Sequence, residues 1–368
     1  MPPLTMMVKP VSGLCNMRCT YCFYADEMAR RSVDVYERMS DETLENLVRR
    51  AFTYADGRVL LAFQGGEPTL AGAAFYRTLL RLEKKYNARH LPVQHAIQTN
   101  GLALDDELLD VLSEGHFLVG VSLDGCREIH DARRIDAGGN GTYDRALEAT
   151  RRLRKKSIEY NILCVVDEAI GRRPDEVFQA LKEHEYLQFI PCLDPLDGTQ
   201  SEGSLSPETY GQFLIRMFDL YDKTLRSGRL ISIRLFDDWA SMLAGYPPEE
   251  CGFLERCTPH FLVESNGNVY PCDFYALDEW KLGNVNEQSL FRIEGSPVGK
   301  SFCQTADSID PQCLSCKWRS LCRYGCRRDR EPLHPGQPSL SRWCQSYQMF
   351  FEARSEAFQN LVRQLARR

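Results

Sequence analysis

The sequence contains no apolar run long enough to cross a membrane, no secretory signal and no excess of positive charge. Its 368 residues carry 45 Lys and Arg against 51 Asp and Glu, which gives a net charge of −6. A membrane-spanning helix needs about 20 consecutive apolar residues, and a signal peptide needs a short apolar core. Nucleic-acid binding favours a basic surface. The sequence therefore predicts a cytoplasmic protein with neither a membrane nor nucleic acid as its main partner.

Internal repeats, heptad arrays and low-complexity tails are also absent. With 43% hydrophobic and 26% charged residues, the chain has a globular composition and is long enough for one large domain and a smaller one. We expect the large domain over residues 1–228, a linker with a helix over 229–245 and the smaller domain over 246–368.

Six short apolar runs alternate with helical patterns in the first part of the chain. The predicted strands are Met6–Val11, Val59–Gln64, His95–Thr99, Leu118–Leu123, Asn161–Val166 and Leu187–Pro191. Such runs of Val, Ile, Leu and Phe are typical of parallel strands buried on both faces. Six strand–helix units predict an α/β fold, a partial (β/α)6 barrel with its site at the carboxyl ends of the strands.

Helices and one hairpin complete the predicted elements. The predicted helices cover residues 105–114, 142–156, 174–183, 207–227 and 350–368. Ser40 is a candidate N-cap. Residues 261–270 predict a β-hairpin that turns on Asn266-Gly267, a strong signal for a two-residue turn.

Fifteen cysteines are many for such a chain, and nothing in the sequence indicates export to a compartment where disulfides form. An odd number of clustered cysteines in a cytoplasmic protein favours metal binding or redox chemistry over a disulfide framework. The clustering supports this interpretation, because nine of the cysteines lie in the last third of the chain.

The most informative cluster is Cys15, Cys19 and Cys22, which form a C-x3-C-x2-C run after the first predicted strand. A [4Fe–4S] cluster is normally held by four cysteines, so three thiolates leave one iron open to a small molecule. The alternative, a closed zinc site, needs a fourth ligand nearby. No further Cys or His precedes His90.

Small polar residues follow several predicted strands. In Gln64-Gly65-Gly66-Glu67-Pro68 the glycines let the backbone approach a ligand closely, and Glu67 can accept a hydrogen bond from an ammonium group. Gln98 and Ser122 lie at the ends of the next two strands, and Arg134 follows. Taken alone, a tight turn also explains the glycines, and a solvated surface charge also explains Arg134.

The C-x3-C-x2-C run followed by Phe23-Tyr24 resembles the radical S-adenosylmethionine (SAM) superfamily. This resemblance implies that the open iron chelates the amino and carboxylate groups of SAM. It implies that Glu67 meets the amino group, that Ser122 and Arg134 meet the carboxylate, and that Leu193 contacts adenine. The implied SAM-binding residues are Tyr21, Gln64, Gly65, Gly66, Glu67, Gln98, Ser122, Arg134 and Leu193.

The C-terminal cysteines form a second pattern. An isolated C-x2-C segment would favour zinc, but behind a radical SAM motif the pattern resembles the SPASM extension, which carries two auxiliary [4Fe–4S] clusters. The resemblance implies one ligand set of Cys251, Cys257, Cys272 and Cys326 and another of Cys313, Cys316, Cys322 and Cys344. Cys126, Cys164, Cys192 and Cys303 remain: Cys164 is expected in the core, Cys126 and Cys192 without a cluster, and Cys303 is the nearest rival for a ligand position.

Several segments narrow the resemblance to the anaerobic sulfatase-maturating enzymes. They include Cys22-Phe-Tyr24, Phe63–Gly72, Gln98-Thr-Asn-Gly101, Asn161–Val166, Cys192–Pro195 and Val269–Tyr275, in that order. The opening Pro2-Pro-Leu also matches. Residues 197–204 and 295–308 match no pattern of that family.

The family resemblance implies a reaction as well as cofactors. One cysteine or serine of a sulfatase, within a Cys/Ser-x-Pro/Ala-x-Arg motif, is oxidised to Cα-formylglycine by a 5′-deoxyadenosyl radical made from SAM. Asp273 would be the general base, one electron would leave through an auxiliary cluster, and Tyr24 would orient the substrate or Asp273. A flavodoxin or ferredoxin would supply electrons.

Two alternatives are also compatible with the sequence. One is a SPASM enzyme that makes thioethers or crosslinks in another ribosomal peptide; such enzymes commonly carry an N-terminal recognition domain, and we expect no room for one before Cys15. The other is a zinc-ribbon interaction module fused to a barrel.

Overall fold

The structure is a computed structural model that describes residues 3–201, 203–305, 308–333 and 337–365. Its contacts divide the chain into two compact units. Unit 1 comprises Met1–Leu123, Arg133–Tyr160 and Thr258–Phe302, and unit 2 comprises Asp124–Ala132, Asn161–Cys257 and Cys303–Arg368. The domain boundaries expected from the sequence stay a prediction.

The strands of the described chain lie between Leu4 and Asn284. They are β1 (Leu4–Val8), β2 (Val59–Phe63), β3 (Val93–Thr99), β4 (Phe117–Ser122), β5 (Tyr160–Val166), β6 (Tyr186–Pro191), β7 (Ser232–Ile233), β8 (Phe261–Val263), β9 (Asn268–Tyr270) and β10 (Gly283–Asn284).

Helices connect these strands. They are α1 (Phe23–Ala29), α2 (Asp41–Tyr54), α3 (Gly72–Tyr86), α4 (Asp106–Glu114), α5 (Arg127–Arg133), α6 (Tyr143–Lys155), α7 (Glu168–Gly171), α8 (Pro174–Leu181), α9 (Pro207–Arg226), α10 (Arg234–Leu243), α11 (Leu290–Glu294), α12 (Pro297–Thr305), α13 (Pro311–Leu314), α14 (Arg319–Cys322) and α15 (Cys344–Leu365).

The sheet of unit 1 is parallel at its centre. Its strand order is β10-β9-β8-β1-β2-β3-β4. Val8 lies opposite both Phe63 of β2 and Val263 of β8, and Thr99 lies opposite Val121 of β4. In unit 2, β5, β6 and β7 are also parallel neighbours. The carboxyl ends of β1 to β4 therefore lie along one edge, where the sequence predicts the site.

The six predicted strands are confirmed, with ends that shift by up to three residues. The largest shift is in β1, which ends at Val8 and not at Val11. The Lys9 amide still donates to the Val263 carbonyl at 2.9 Å, but Pro10 has no N–H to continue the ladder. The strands are also buried more on one face than on the other: Leu4 and Met6 are buried, whereas Thr5 between them is exposed.

The predicted hairpin is present as β8 and β9, but its loop is longer than a two-residue turn. The Glu264 amide donates to the Asn268 carbonyl, and the Gly267 amide donates back to the Glu264 carbonyl, each at 2.8 Å. Three residues therefore form the loop, and Gly267 takes the left-handed conformation with φ 86°, as expected of a turn followed by a bulge.

The helix predictions hold with small shifts, and Ser40 caps α2 by accepting from the Thr43 amide at 3.1 Å. The C-terminal helix, α15, begins at Cys344, six residues before the predicted start at 350. Phe350 and Phe358 pack on Phe218 of α9, with ring centroids 5.7 and 5.4 Å away. Residues 366–368 of the predicted helix and Pro2 lie outside the described residues.

None of the helices that the structure describes is both long enough and apolar enough to cross a bilayer.

Candidate active site and cluster-binding sites

The loop that carries Cys15, Cys19 and Cys22 follows β1 and is fixed by backbone hydrogen bonds on two sides. The amides of Gly66 and Glu67 donate to the Ser12 and Leu14 carbonyls, each at 2.8 Å. On the other side, the amides of Arg18 and Thr20 donate to the carbonyls of Ile135 and Arg133 at 2.8 and 3.0 Å. The three thiols are half-buried, so the loop presents them without enclosing them.

Gly66 allows the turn after β2 to approach the cysteine loop. A Cβ at this position would lie 2.1 Å from the Leu14 carbonyl oxygen, which is part of the backbone. At Gly65, φ is +110° and a Cβ would lie 2.7 Å from Lys9 Cγ. The sequence predicted that these glycines let a ligand approach the backbone. In the structure they let the cysteine loop approach it.

Glu67 is almost fully buried and accepts four hydrogen bonds. Its Oε1 accepts from the amide and the hydroxyl of Thr69 at 3.0 and 2.5 Å and from the Thr99 hydroxyl at 2.7 Å. Its Oε2 accepts from the Asn100 amide at 2.8 Å. Burial raises the pKa of Glu67, whereas these hydrogen bonds favour the ionised form and act in the opposite direction. The carboxylate thus joins the ends of β2 and β3, and its contact with the SAM amino group stays a prediction.

Polar groups surround the thiols of the N-terminal motif. The Met17 amide donates to Cys15 Sγ at 3.4 Å, and Asn100 Nδ2 donates to the same sulfur at 3.9 Å. Arg134 Nη1 lies 3.8 Å from Cys19 Sγ. Burial raises the pKa of Cys15. A site with N–H donors and a guanidinium around three thiols fits an anionic iron–sulfur cluster, whose potential such donors tune.

Several predicted SAM-binding residues lie along this edge of the sheet. Gln64 and Ser122 lie at the carboxyl ends of β2 and β4, and Gln98 lies near the end of β3 between them. Gln64 is buried and its Nε2 lies 3.1 Å from Met7 Sδ. The Arg134 guanidinium lies 5.5 Å from the centre of the Tyr21 ring. Leu193 follows β6 in unit 2.

Asp273 and Tyr24 are joined in unit 1 although 249 residues separate them. The Tyr24 hydroxyl donates to Asp273 Oδ2 at 2.7 Å, and burial, followed by the Asp273 charge, raises the pKa of Tyr24 well above its usual value. Asp273 Oδ1 is buried and accepts no hydrogen bond from the residues that the structure describes. Asp273 therefore has one oxygen fixed by a phenol and one available for a proton.

Lys9 and Glu27 also belong to this region, and sequence reasoning did not find them. The Lys9 ammonium lies 3.5 Å from Asp273 Oδ1 and 3.3 Å from Glu27 Oε2. A lysine just after a strand and a glutamate in a short helix carry no signal of their own. The pairing of β1 with β8, whose hairpin leads to Asp273, brings Lys9 close to Asp273.

One of the two predicted auxiliary ligand sets lies entirely in unit 2. Cys313, Cys316, Cys322 and Cys344 line one cavity with an empty volume of about 370 Å³, which is partly open to solvent. Its other walls include Trp318, Tyr324 and Tyr347. Four thiols around a cavity with aromatic walls fit a fully ligated [4Fe–4S] cluster.

The other predicted set is divided between the units, since Cys272 belongs to unit 1 and Cys251, Cys257 and Cys326 belong to unit 2. Burial, followed by Cys303, raises the pKa of Cys257 to about 11, and Cys251 contributes less. Cys303 thus lies near Cys257, and its place as a rival ligand stays a prediction. Burial raises the pKa of Cys326 far above its usual value, and Cys251 and Cys257 add to this.

Among the described residues, no three Cys, His, Asp or Glu side chains converge as a single metal ion requires. Cys164 and Cys192 are buried and Cys126 is half-buried. The position of Cys164 in the core of β5 agrees with the prediction.

Comparison with known proteins agrees with this architecture. Residues 10–183 match the model of the radical SAM superfamily, and residues 251–317 match the SPASM iron–sulfur cluster-binding domain. A cysteine-type anaerobic sulfatase-maturating enzyme of Clostridium novyi is 41% identical over the full length of both chains. A serine-type anaerobic sulfatase-maturating enzyme of Bacteroides thetaiotaomicron is 31% identical, over 95% of this chain and 89% of its own.

A solved structure gives the same result. Native anSMEcpe with bound AdoMet and Cp18Cys peptide superimposes with a TM-score of 0.94 and 38% identity, over 99% of this chain and 100% of that one. The fold and its cysteine sites thus define a radical SAM enzyme with a SPASM domain, as the sequence predicted. The chain belongs to the family of anaerobic sulfatase-maturating enzymes. Its cofactors are [4Fe–4S] clusters and SAM, with three clusters consistent with the family.

Proposed function

We propose that this enzyme oxidises one residue of a sulfatase polypeptide to Cα-formylglycine. The observation that carries the proposal is the Tyr24–Asp273 pair, because it supplies a base beside a cluster ligand, Cys272, in a chain of this family. The peptide bound to the related structure supports a polypeptide substrate.

A cysteine is the preferred target. The relatives called cysteine-type are 40–41% identical to this chain, whereas those called serine-type are 28–31% identical. The motif around the target would be Cys-x-Pro/Ala-x-Arg. The reaction belongs in the cytoplasm, where thiols stay reduced and available as ligands, with a flavodoxin or ferredoxin as electron donor.

The residues of the chain would divide the work. Cys15, Cys19 and Cys22 hold the cluster that binds SAM, and the two C-terminal cysteine sets hold the auxiliary clusters. When bound, SAM would supply the acceptor for a hydrogen atom from the target Cβ, and the clusters would take up one further electron, chemistry that no side chain offers. Asp273 takes the thiol proton on Oδ1 while Tyr24 fixes Oδ2. The cysteine thereby loses two electrons and two protons, and water converts the thioaldehyde to the aldehyde with release of hydrogen sulfide.

The direct test is an anaerobic incubation of reduced enzyme, SAM and matched Cys- and Ser-x-Pro-x-Arg peptides, followed by mass spectrometry. We expect the Cys peptide to lose the mass that corresponds to conversion of a thiol to an aldehyde. We expect the Cys peptide to react faster than the Ser peptide. A thioether or crosslink product, or SAM cleavage without any change in either peptide, would contradict the proposal.

Asp273→Asn tests the proposed base separately. Loss of a positioned base typically lowers a rate by about 10²–10⁴-fold, so we expect formylglycine to fall by this factor while SAM cleavage continues. The measurement counts 5′-deoxyadenosine and formylglycine in one reaction. If the variant makes both at the wild-type rate and ratio, Asp273 is a structural residue and the base lies elsewhere.

A further inference from the structure

A group of charged side chains lies next to Asp273 and has no part in the reaction proposed above. The Lys9 ammonium is its centre, 3.3 Å from Glu27 Oε2, 3.5 Å from Asp273 Oδ1 and 3.9 Å from Glu264 Oε1. Arg31 Nη1 lies 2.7 Å from the same Glu264 oxygen. The side chains of Lys9, Glu27, Glu264 and Arg31 are at most 3% exposed, so the charges are removed from water.

A contribution to folding stability does not by itself explain why these charged side chains are buried together. The free-energy cost of moving charges out of water can exceed the gain from their pairing, and well-packed apolar residues often stabilise a protein equally well. This group also holds three carboxylates against two cations. Burial would lower the pKa of Lys9, but the carboxylates raise it to about 12, so the ammonium stays charged.

Lys9 contacts both members of the Tyr24–Asp273 pair. Its ammonium lies beside Asp273 Oδ1 and 4.4 Å from the centre of the Tyr24 ring. Its contact with Oδ1 is an ion pair and not a hydrogen bond. The oxygen is therefore held in place by charge, and no described group donates a hydrogen bond to it.

Glu27 fixes the same segment a second time. Its Oε1 accepts from the Ala276 amide at 3.1 Å, and its Oε2 accepts from Lys9. Ala276 directly follows the 3-10 turn Asp273–Tyr275. The turn is thus tied through its side chain at one end and through its backbone at the other, and both ties lead to Lys9.

We propose that Lys9 is a positioning residue that aims Asp273 Oδ1 at the target while Glu27 and Glu264 hold the ammonium from behind. This inference rests on the proposed function only for the identity of the target. A misplacement of about 1 Å can cost about 10²-fold in rate, so the effect of losing Lys9 should be large although Lys9 need not touch the substrate.

Lys9→Met tests the proposal, because it keeps the length of the side chain and removes the charge. We expect iron content, SAM affinity and the peptide KM to stay near wild type, and formylglycine formed per 5′-deoxyadenosine to fall about 10²-fold. Lys9→Gln, which can still donate to Glu27, should show the same loss and serves if the Met variant does not fold.

Glu83→Gln is the matched control. Glu83 forms a buried pair with His95 at 2.8 Å, in the same unit but at the opposite end of β3 from Gln98 and Thr99. It should lower the melting temperature without changing the product ratio. If Lys9→Met does the same, with a wild-type ratio, the charged group is only structural and the proposal is wrong.

Formylglycine formation by the wild-type enzyme tests the proposed function, and the structure of Lys9→Met tests the role of Lys9. If the wild-type enzyme makes no formylglycine, the function fails, and a crystal structure of Lys9→Met still decides the role of Lys9. We expect Asp273 to rotate and its 2.7 Å contact with the Tyr24 hydroxyl to break. An unchanged Tyr24–Asp273 pair in that structure would overturn the positioning role.

Discussion

At the scale of single residues, Glu67 and Arg134 show how the same predicted role can rest on different surroundings. Glu67 uses most of its acceptor capacity inside the protein, on Thr69, Thr99 and Asn100. Arg134 instead lies beside Cys19 Sγ and the Tyr21 ring. A change at either residue should weaken SAM binding, and the change at Glu67 also leaves the buried amides of Thr69 and Asn100 without an acceptor.

Glu67→Ala and Arg134→Ala should both weaken SAM binding. Loss of Glu67 also orphans the buried amides of Thr69 and Asn100, each at a cost of about 1–3 kcal/mol, so this variant should also lose several degrees of melting temperature. Equilibrium binding of SAM, iron content and thermal unfolding measure the three effects. Wild-type SAM affinity in both variants would mean that the SAM pocket lies elsewhere.

The residues that the sequence revealed are those with short-range patterns. The cysteine spacing, the Gly65-Gly66 pair and Asp273 next to Cys272 are all visible in the chain, and their roles come from a family resemblance. Lys9, Glu27 and Glu264 were not predictable, because 18 to 255 residues separate them and each is an ordinary surface residue by type. Only the tertiary fold shows that they share one buried space.

At the scale of elements, the turn after β2 and the cysteine loop depend on each other. The turn donates two amides to the loop and approaches it so closely that Gly66 has no space for a side chain. The sequence predicted the turn and the loop separately, as parts of a ligand site. Their mutual support could not be predicted, since it depends on the parallel pairing of β1 with β2.

Gly66→Ala should therefore displace the cysteine loop. Its Cβ would lie 2.1 Å from a backbone oxygen, which no side-chain movement relieves. We expect the variant to lose about four irons, which is one cubane cluster. We expect it to lose SAM cleavage as well. Gly295→Ala is the control, because its Cβ would meet its nearest atom at 3.6 Å. A Gly66→Ala enzyme with full iron and SAM cleavage would disprove the coupling.

Element ends were less predictable than element types, for identifiable reasons. Pro10 ends β1 early, and the loop between β8 and β9 takes a third residue because Gly267 can adopt a left-handed conformation. The helix α15 extends back to Cys344 because Tyr347 joins Phe350 on the buried face. Local patterns give the period of an element, whereas packing partners far along the chain decide where it stops.

At the scale of the whole molecule, the cysteines are distributed so that two of the predicted cluster sites can be tested separately. Cys15, Cys19 and Cys22 lie in unit 1, and Cys313, Cys316, Cys322 and Cys344 lie in unit 2 around one cavity. Removing the first group should therefore leave the second cavity intact, so that iron bound at each can be counted independently.

The anaerobically reconstituted wild-type enzyme should bind about twelve irons, as expected for three cubane clusters. The triple variant Cys15→Ala, Cys19→Ala, Cys22→Ala should keep about eight and lose all SAM cleavage, because its open iron is gone while the eight C-terminal ligands remain. Iron and zinc analysis of anaerobically isolated protein, with absorbance at about 400 nm from thiolate-bound iron, gives the measurement. Zinc at the C-terminal cysteines would refute the auxiliary clusters and favour a zinc-ribbon module, and fewer than eight irons in the triple variant would show that the sites are not independent.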